Sequence, residues 1–342
     1  MSELTTYGDI SEETGVYLNK PFLDRALPVM YTAQFAQTLH MPKNASQRLK
    51  ARRYNPLSAE PKKLVEGVTP RADNVSTTDV YFNLEQFGNV LRLTDVVADT
   101  HEDPVLQQYT ELLGEQAGEM MERIRIAKLL AGTNVYYANG ESRSEVNTTV
   151  NKAMLRRMAE ILKVNRAKRI TKLEQSTPRF NTVNVKPCYV AIVHPYMSKD
   201  LVDIDGFKRV EDYGSVSSWA NEIGAFEDLR FIEMDLLGPW TDAGGAATAT
   251  LHSTGGSKCD VFPILAFGAN AYADVALKGY STKNADGSGN LITPVTIMAL
   301  NPNVPRDGDP LGQRGSVGYK FYWAGGIIQD LFLLRGEVAV NR

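Results

Sequence analysis

One segment constrains this chain more than any other: residues 103–132 are written as a single long amphipathic helix. Asp103 is a natural N-cap, and Pro104 suits the first helical position, where its missing N–H costs nothing. Leu106, Tyr109, Leu113, Ala117, Met120, Ile124, Ala127 and Ala131 then recur at spacings of three and four, one continuous apolar stripe. Gly132 is placed to close the helix as its C′ residue. The predicted helix is roughly 40 Å long, well above the common globular length. Acids (Glu111, Glu115, Glu119) occupy its first half and bases (Arg123, Arg125, Lys128) its last, which complements the helix dipole. Gly114 and Gly118 each cost about 1 kcal/mol in a helix interior. They share one face, which predicts another backbone crossing closely there. The charges around them exclude a membrane motif.

What precedes this bar is not built like a core. Residues 1–45 alternate short apolar stretches (Val16-Tyr17-Leu18, Phe22-Leu23) with polar and charged ones, and read as an arm ordered only against another surface. Residues 46–95 read as a long two-stranded hairpin. A basic strand, SQRLKARRYNPLS, is followed by an irregular tip with Pro61, Gly67 and Pro70, then by residues 80–93, which alternate apolar and polar. A lone two-stranded ribbon is marginal in water, so this one needs a partner surface. The basic run Lys43, Arg48, Lys50, Arg52, Arg53, Lys62 and Lys63 forms the one marked charge asymmetry, with only Tyr54 as an aromatic among them. Docking on an acidic neighbour is favoured over nucleic-acid binding, because the hairpin needs a partner in any case and long-range charge complementarity sets its register. A formal net charge of -3 agrees.

Beyond the helix, residues 149–164 carry a second helical period, and residues 189–193 form a short apolar run expected to be a strand covered on both faces. His194-Pro195 turns into a short helix that stops before the Asp205-Gly206 turn. Residues 231–235 and 261–267 read as further strands, and the Gly-, Ala- and Thr-rich residues 238–258 as a surface insertion. The last part is β-rich, with Val317, Tyr319, Phe321 and Trp323 alternating onto one buried face.

A search for chemistry returns structural readings. His194 stands where α/β enzymes place catalytic groups, but no Ser sits in a nucleophile elbow and no second His or Cys is placed beside it as a partner. Asp203, Asp205, Glu211 and Asp212 lack the order of a calcium loop. GGSK (255–258) and DGSGN (286–290) lack the remaining positions of a P-loop and a dinucleotide fingerprint. Cys188 and Cys259 stand alone and read as small buried hydrophobes. No cofactor and no metal are expected. No apolar stretch suits a signal peptide or the ~20 residues of a membrane span, so a soluble chain made in a cytoplasm is expected.

The order of arm, long hairpin, solitary helix, α/β lobe and returning strands resembles the Hong Kong-97 capsid fold. Local sequence sharpens the likeness: LVEGVTP (64–70), LLGEQAGE (112–119), AGTNVYYANG (131–140), YVAIVHPYMSKDL (189–201), NEIGAFEDLRFIE (221–233), FGANAY (267–272) and DPLGQRGSVGYK (309–320) are similar, in that order, to a major capsid family of short-tailed phages and prophages. The resemblance runs from about residue 57 to the C-terminus. It implies an α+β fold with an N-arm (1–45), an E-loop hairpin (46–95), a P-domain (96–146) with a spine helix at 104–131, an A-domain (147–267) and returning P-domain strands (268–342). It further implies a structural, non-enzymatic shell protein, made in the host bacterium and located in the virion. Its partners would be copies of itself in hexamers and pentamers, decoration, scaffolding and portal proteins, and packaged double-stranded DNA held without sequence specificity. Arg48, Arg52, Arg53, Lys62, Lys63, Gly114 and Gly118 are the candidate assembly contacts. An encapsulin-like compartment is the alternative within the same fold, and a cytosolic α/β hydrolase using His194 is the alternative from another class.

Overall fold

The computed structural model describes the chain except residues 1–29, 42–45, 56, 58–59, 62, 64–65, 68–71, 97–104, 175–181, 214–217, 278–294, 303 and 306–308. The expected long helix is α1, Val105–Leu130; its expected cap at Asp103-Pro104 lies outside the described residues. Its buried face differs from the predicted stripe. Leu113, Ala117, Met121, Ile126 and Leu129 are buried together with Glu122 and Arg125, while Ala127 and Ala131 are exposed. The charged pair is buried because it finds counter-charges inside, so Arg125 is not one of the solvated bases complementing the dipole. Gly132 does not take the left-handed C′ conformation either, since its φ is not positive. A Cβ there would lie 2.9 Å from Leu333 Cδ2 and 3.2 Å from Asp330 Oδ1. Close packing, rather than a cap, requires this glycine.

Helix α1 lies on a five-stranded sheet. Its strands are β1 (Gln37–Met41), β4 (Glu85–Thr94), β12 (Tyr272–Leu277), β13 (Val295–Leu300) and β14 (Arg314–Ile327). The long β14 pairs with β4 and β13 along its first part and with β12 along its last. Strand periodicity puts Val317, Tyr319, Phe321 and Trp323 on the helix side, where they pack against Leu113, Ala117 and Met121. Strand β1 adds in parallel to β12. The end of the expected arm is therefore a strand of the subunit's own sheet, because Met41 and its neighbours bury surface against Ala273 and Val275.

The second sheet has eight strands. In order they are β5 (Val135–Tyr137), β15 (Leu333–Val338), β11 (Phe262–Phe267), β7 (Thr182–Val193), β10 (Leu229–Glu233), β9 (Glu222–Phe226) and β8 (Lys208–Arg209), with β6 (Ile170–Glu174) also on β7. Helices α2 (Lys152–Val164) and α3 (Ser198–Val202) cover one face. Asn151 caps α2 by accepting the Met154 amide at 2.8 Å. Met154, Leu155, Met158 and Leu162 meet Tyr189, Ala191 and Val193 there; Val190 and Ile192 point to the other face, against Ile126 and Leu129 of α1. Residues 189–193 are thus covered on both sides, as their composition predicts. The sheet takes in β5 and β15, which lie outside residues 147–267.

Strands β2 (Arg48–Tyr54) and β3 (Thr77–Asn83) form the two-stranded ribbon. The single strand expected at 80–93 is divided at Leu84: β3 pairs with β2, and β4 pairs with β14. Phe82 and Leu84 are both buried, so the alternation runs on while the hydrogen-bonding partner changes. Residues 238–258 are tied down rather than loose. Trp240 bridges to Val261, Ala246 to Lys258 and Leu251 to Asn341. Gly244 is so close to Cys259 that a Cβ would meet its Sγ at 2.5 Å.

Candidate assembly interface

Alternation along β2 sends Arg48, Lys50, Arg52 and Tyr54 to solvent, while Leu49 and Ala51 turn inward with Val80 and Phe82 onto Met41, Ala273 and Val275. Pairing places Lys50 opposite Tyr81 and Arg52 opposite Asp79. Asp79 takes both cations, at 2.6 Å from Lys50 Nζ and 3.2 Å from Arg52 Nε. The hydrogen bond from Lys50, helped by Arg52, holds its carboxyl below the usual aspartate range. The Arg48 guanidinium lies 4.2 Å from the centre of the Tyr81 ring. Tyr81 is an aromatic member of this face that the sequence reading missed; knowledge of the strand register would have found it. Exposed pairs of this kind add little to stability and are screened by salt. Their effect is to order a flat, basic and aromatic surface.

Arg53 points the other way, donating from Nη1 to the Ile328 carbonyl at 3.3 Å. Lys63 is exposed on the connection between β2 and β3, and Lys62 lies outside the described residues. The structure therefore joins Arg48 and Arg52 on one face, with Lys50, and separates Arg53 from them. Among the described residues, Ala51 and Val80 are the outermost members of the ribbon in this apolar cluster. Farther out, Tyr54, Leu57 and Val75 are 67%, 56% and 58% exposed.

Gly114 and Gly118 are buried inside the subunit, on the helix that packs against β4 and β14. One turn farther along is a buried charged cluster that no sequence pattern announced. Arg125 donates to Asp274 through Nε, at 2.9 Å to Oδ2, and through Nη2, at 2.6 Å. Its Nη1 donates to Glu122 and, at 3.2 Å, to Thr32 Oγ1. Glu122 accepts the Thr32 amide at 2.7 Å, and the Tyr272 hydroxyl donates to the Thr32 carbonyl at 2.6 Å. Every polar group of Thr32 is satisfied, and the root of the N-terminal segment is pinned to α1 and β12. Burial alone would favour loss of the Arg125 proton; Asp274 and Glu122 outweigh it and hold its pKa above the ordinary value. Burial pushes the Glu122 carboxyl up, opposed by Arg125.

His194, Asp205 and the GGSK segment have structural partners. His194 caps the following turn, its Nδ1 accepting the Tyr196 amide at 3.2 Å, and burial lowers its pKa. The nearby Ser198 hydroxyl donates to Glu233 at 2.7 Å. Asp205 pairs with Lys152 at 2.9 Å. In the GGSK segment the Gly255 amide donates to Asp242 at 2.8 Å, so a carboxylate of the same chain occupies it; DGSGN lies outside the described residues. Among the described residues no cluster of His, Cys, Asp or Glu is arranged to hold a metal ion, and no helix is long and apolar enough to cross a membrane.

A second basic stretch escaped the sequence reading: Lys163, Arg166, Lys168, Arg169 and Lys172, with no acid between them. It straddles the end of α2 and so passes for ordinary helix charge.

A family model described as phage capsid protein matches residues 77–327. No curated protein matches the chain. Solved structures of the same fold include the capsid of Ralstonia phage GP4, 11% identical with a TM-score of 0.65, covering 92% of this chain and 90% of that one. The head structure of Helicobacter pylori bacteriophage KHP40 is 13% identical with a TM-score of 0.61, over 92% and 90%. The capsid of cyanophage Pam1 is 13% identical with a TM-score of 0.60, over 92% of both chains. The α+β, Hong Kong-97-type fold expected from the sequence is borne out.

Proposed function

This chain belongs to the phage capsid protein family, and from that premise we infer how its parts divide the work of building a shell. It is a structural, non-enzymatic major capsid protein, a component of the virion that assembles from many copies of itself. In our reading the copies form hexamers and pentamers. Residues 147–267 gather round the symmetry axes as the A-domain, the spine helix α1 and its sheet form the P-domain, and residues 1–45 act as an arm. The ribbon of residues 46–95 reaches over the adjacent subunit, with Arg48 and Arg52 on the contacting face and Lys62 and Lys63 at its tip. Gly114 and Gly118, covered within the subunit, support it from below. Decoration, scaffolding and portal proteins are further partners, the cargo is double-stranded DNA, and synthesis is in the host cytoplasm.

The observation that carries this reading is the ribbon's outer end. Tyr54, Leu57 and Val75 are exposed, beyond the last residues of the ribbon that join an apolar cluster of their own subunit among the described residues, and a two-stranded ribbon gains stability only from a further surface. Replacing residues 59–75 by a short Gly/Ser turn tests it. The expected product is a folded subunit, by circular dichroism, that sediments as small species while the parent chain forms large shells visible by electron microscopy. Normal shells from the shortened chain would remove the ribbon tip from the assembly contacts. The same images of the parent chain separate a DNA-filled shell with a portal vertex from an enzyme-filled compartment.

A further inference from the structure

Helix α2 ends in a feature that costs the fold something and returns nothing visible to it. The Ala167 amide donates to the Leu162 carbonyl and the Arg166 amide to the Lys163 carbonyl, both at 2.9 Å, the paired bonds of a Schellman turn. Its C′ position belongs to Arg166, with φ +57°, where glycine or asparagine is the usual choice because a Cβ is strained there. The turn is locked on the sheet: Lys168 bridges to Ala269, and the Tyr189 hydroxyl donates to the Ala167 carbonyl at 3.2 Å. Lys163, Arg166, Lys168 and Arg169 are all exposed on this rigid corner. Lys163 and Arg169 share the Asp228 carboxylate, Arg169 at 3.2 Å, whereas Arg166 and Lys168 make no ion pair among the described residues.

We propose that this corner is a contact site for the phosphate backbone of duplex DNA, with Arg166 and Lys168 as the phosphate-binding groups. The proposal rests on the capsid reading and would turn this corner toward the cargo. The helix C-terminus offers about half a negative charge, and Asp228 offers one more; four cations exceed that sum, so the corner keeps a positive field. The planar fork of Arg166 matches phosphate oxygens. Among the described residues no aromatic ring lies against Arg166 or Lys168, which makes the contact blind to sequence. Two contacts per subunit are weak singly and become a large total only when many copies face one duplex, and the acidic balance of the chain keeps the cargo releasable.

The test is the full-length chain with Arg166→Gly and Lys168→Gln. Glycine suits the left-handed turn, so the backbone keeps its conformation while both cations are lost. Anisotropy of a fluorescein-labelled random-sequence duplex, titrated with unassembled subunit over a range of salt, reads the phosphate contacts directly. The expected result is weaker binding and a log–log salt slope reduced by about 1.8, from ~0.9 per phosphate contact, with shells still seen by electron microscopy. An unchanged slope with normal shells overturns the DNA site and leaves the capsid reading standing. Lost shells with unchanged duplex binding overturn it too, and make the corner a contact between copies.

Discussion

Arg125 donates through Nε and Nη2 to Asp274, 149 positions away in sequence and buried with it. The same guanidinium holds Glu122, and through Glu122 the amide of Thr32. One cation therefore joins the root of the N-terminal segment, the spine helix and β12. Removing it strands two buried carboxylates, which costs more than an average core change, about 3–5 kcal/mol. Arg125→Met should lower the denaturant midpoint by that amount, and adding Glu122→Leu and Asp274→Leu should restore most of it. A single variant as stable as the parent would show that the pair carries no such role.

Gly132 separates two explanations of one residue. A glycine kept for a left-handed C′ turn is best replaced by asparagine. A glycine kept because Leu333 Cδ2 stands 2.9 Å from the missing Cβ is replaced badly by anything, and worse by larger groups. Gly132→Ala should cost ~1–3 kcal/mol by overpacking, and Gly132→Asn more. Thermal unfolding of the two variants ranks them, and the reverse order would restore the capping role.

Both cysteines should be inert in the folded chain. Burial pushes the Cys188 thiol up to about 11, and the Cys259 thiol is likewise raised by burial while donating to the Val146 carbonyl at 2.9 Å. Since the thiolate is the reactive form, iodoacetamide at pH 8 should modify neither cysteine until urea is added. Mass spectrometry of the native protein showing rapid labelling of either would contradict the packing around it.

What the sequence made legible follows from local periodicity. The spine helix, the doubly covered strand at 189–193 and the alternating face of β14 depend on spacing within one element, and all three are present. What stayed hidden depends on distant partners. Leu84 continues the alternation of β3 into β4, so nothing local marks the exchange of partners from β2 to β14. Arg125 reads as a base complementing the helix dipole until Asp274 is brought beside it. The ribbon face was half visible: Arg48 and Arg52 share it, Arg53 leaves it by the same alternation, and Tyr81 joins it only through register. The corner at Arg166 was obscured because its charges cross a helix boundary.

Asp260 makes the insertion at 238–258 sensitive to acid. Its carboxylate, buried completely, accepts the Asp242 amide at 2.8 Å, the Thr254 hydroxyl at 2.7 Å and amide at 3.3 Å, and faces His252 Nδ1 at 2.8 Å. Burial alone would raise its pKa; these donors more than compensate, and the carboxyl lies below the ordinary aspartate value. A depressed folded pKa means stabilisation that is present above the unfolded value, ~3.9, and is lost as pH falls through the lower folded value. Hydrogen-exchange protection of the Asp242 and Thr254 amides, corrected for intrinsic rates, should hold from neutrality to about pH 4 and collapse below it. Asp260→Asn, which puts an amide donor beside the Thr254 hydroxyl, should lose that protection at every pH, by roughly 1.5–3 kcal/mol for a charged hydrogen bond. Protection that disappears already near pH 6, where the carboxylate is still ionised, or that survives the substitution, would mean the insertion is held by its backbone bridges alone.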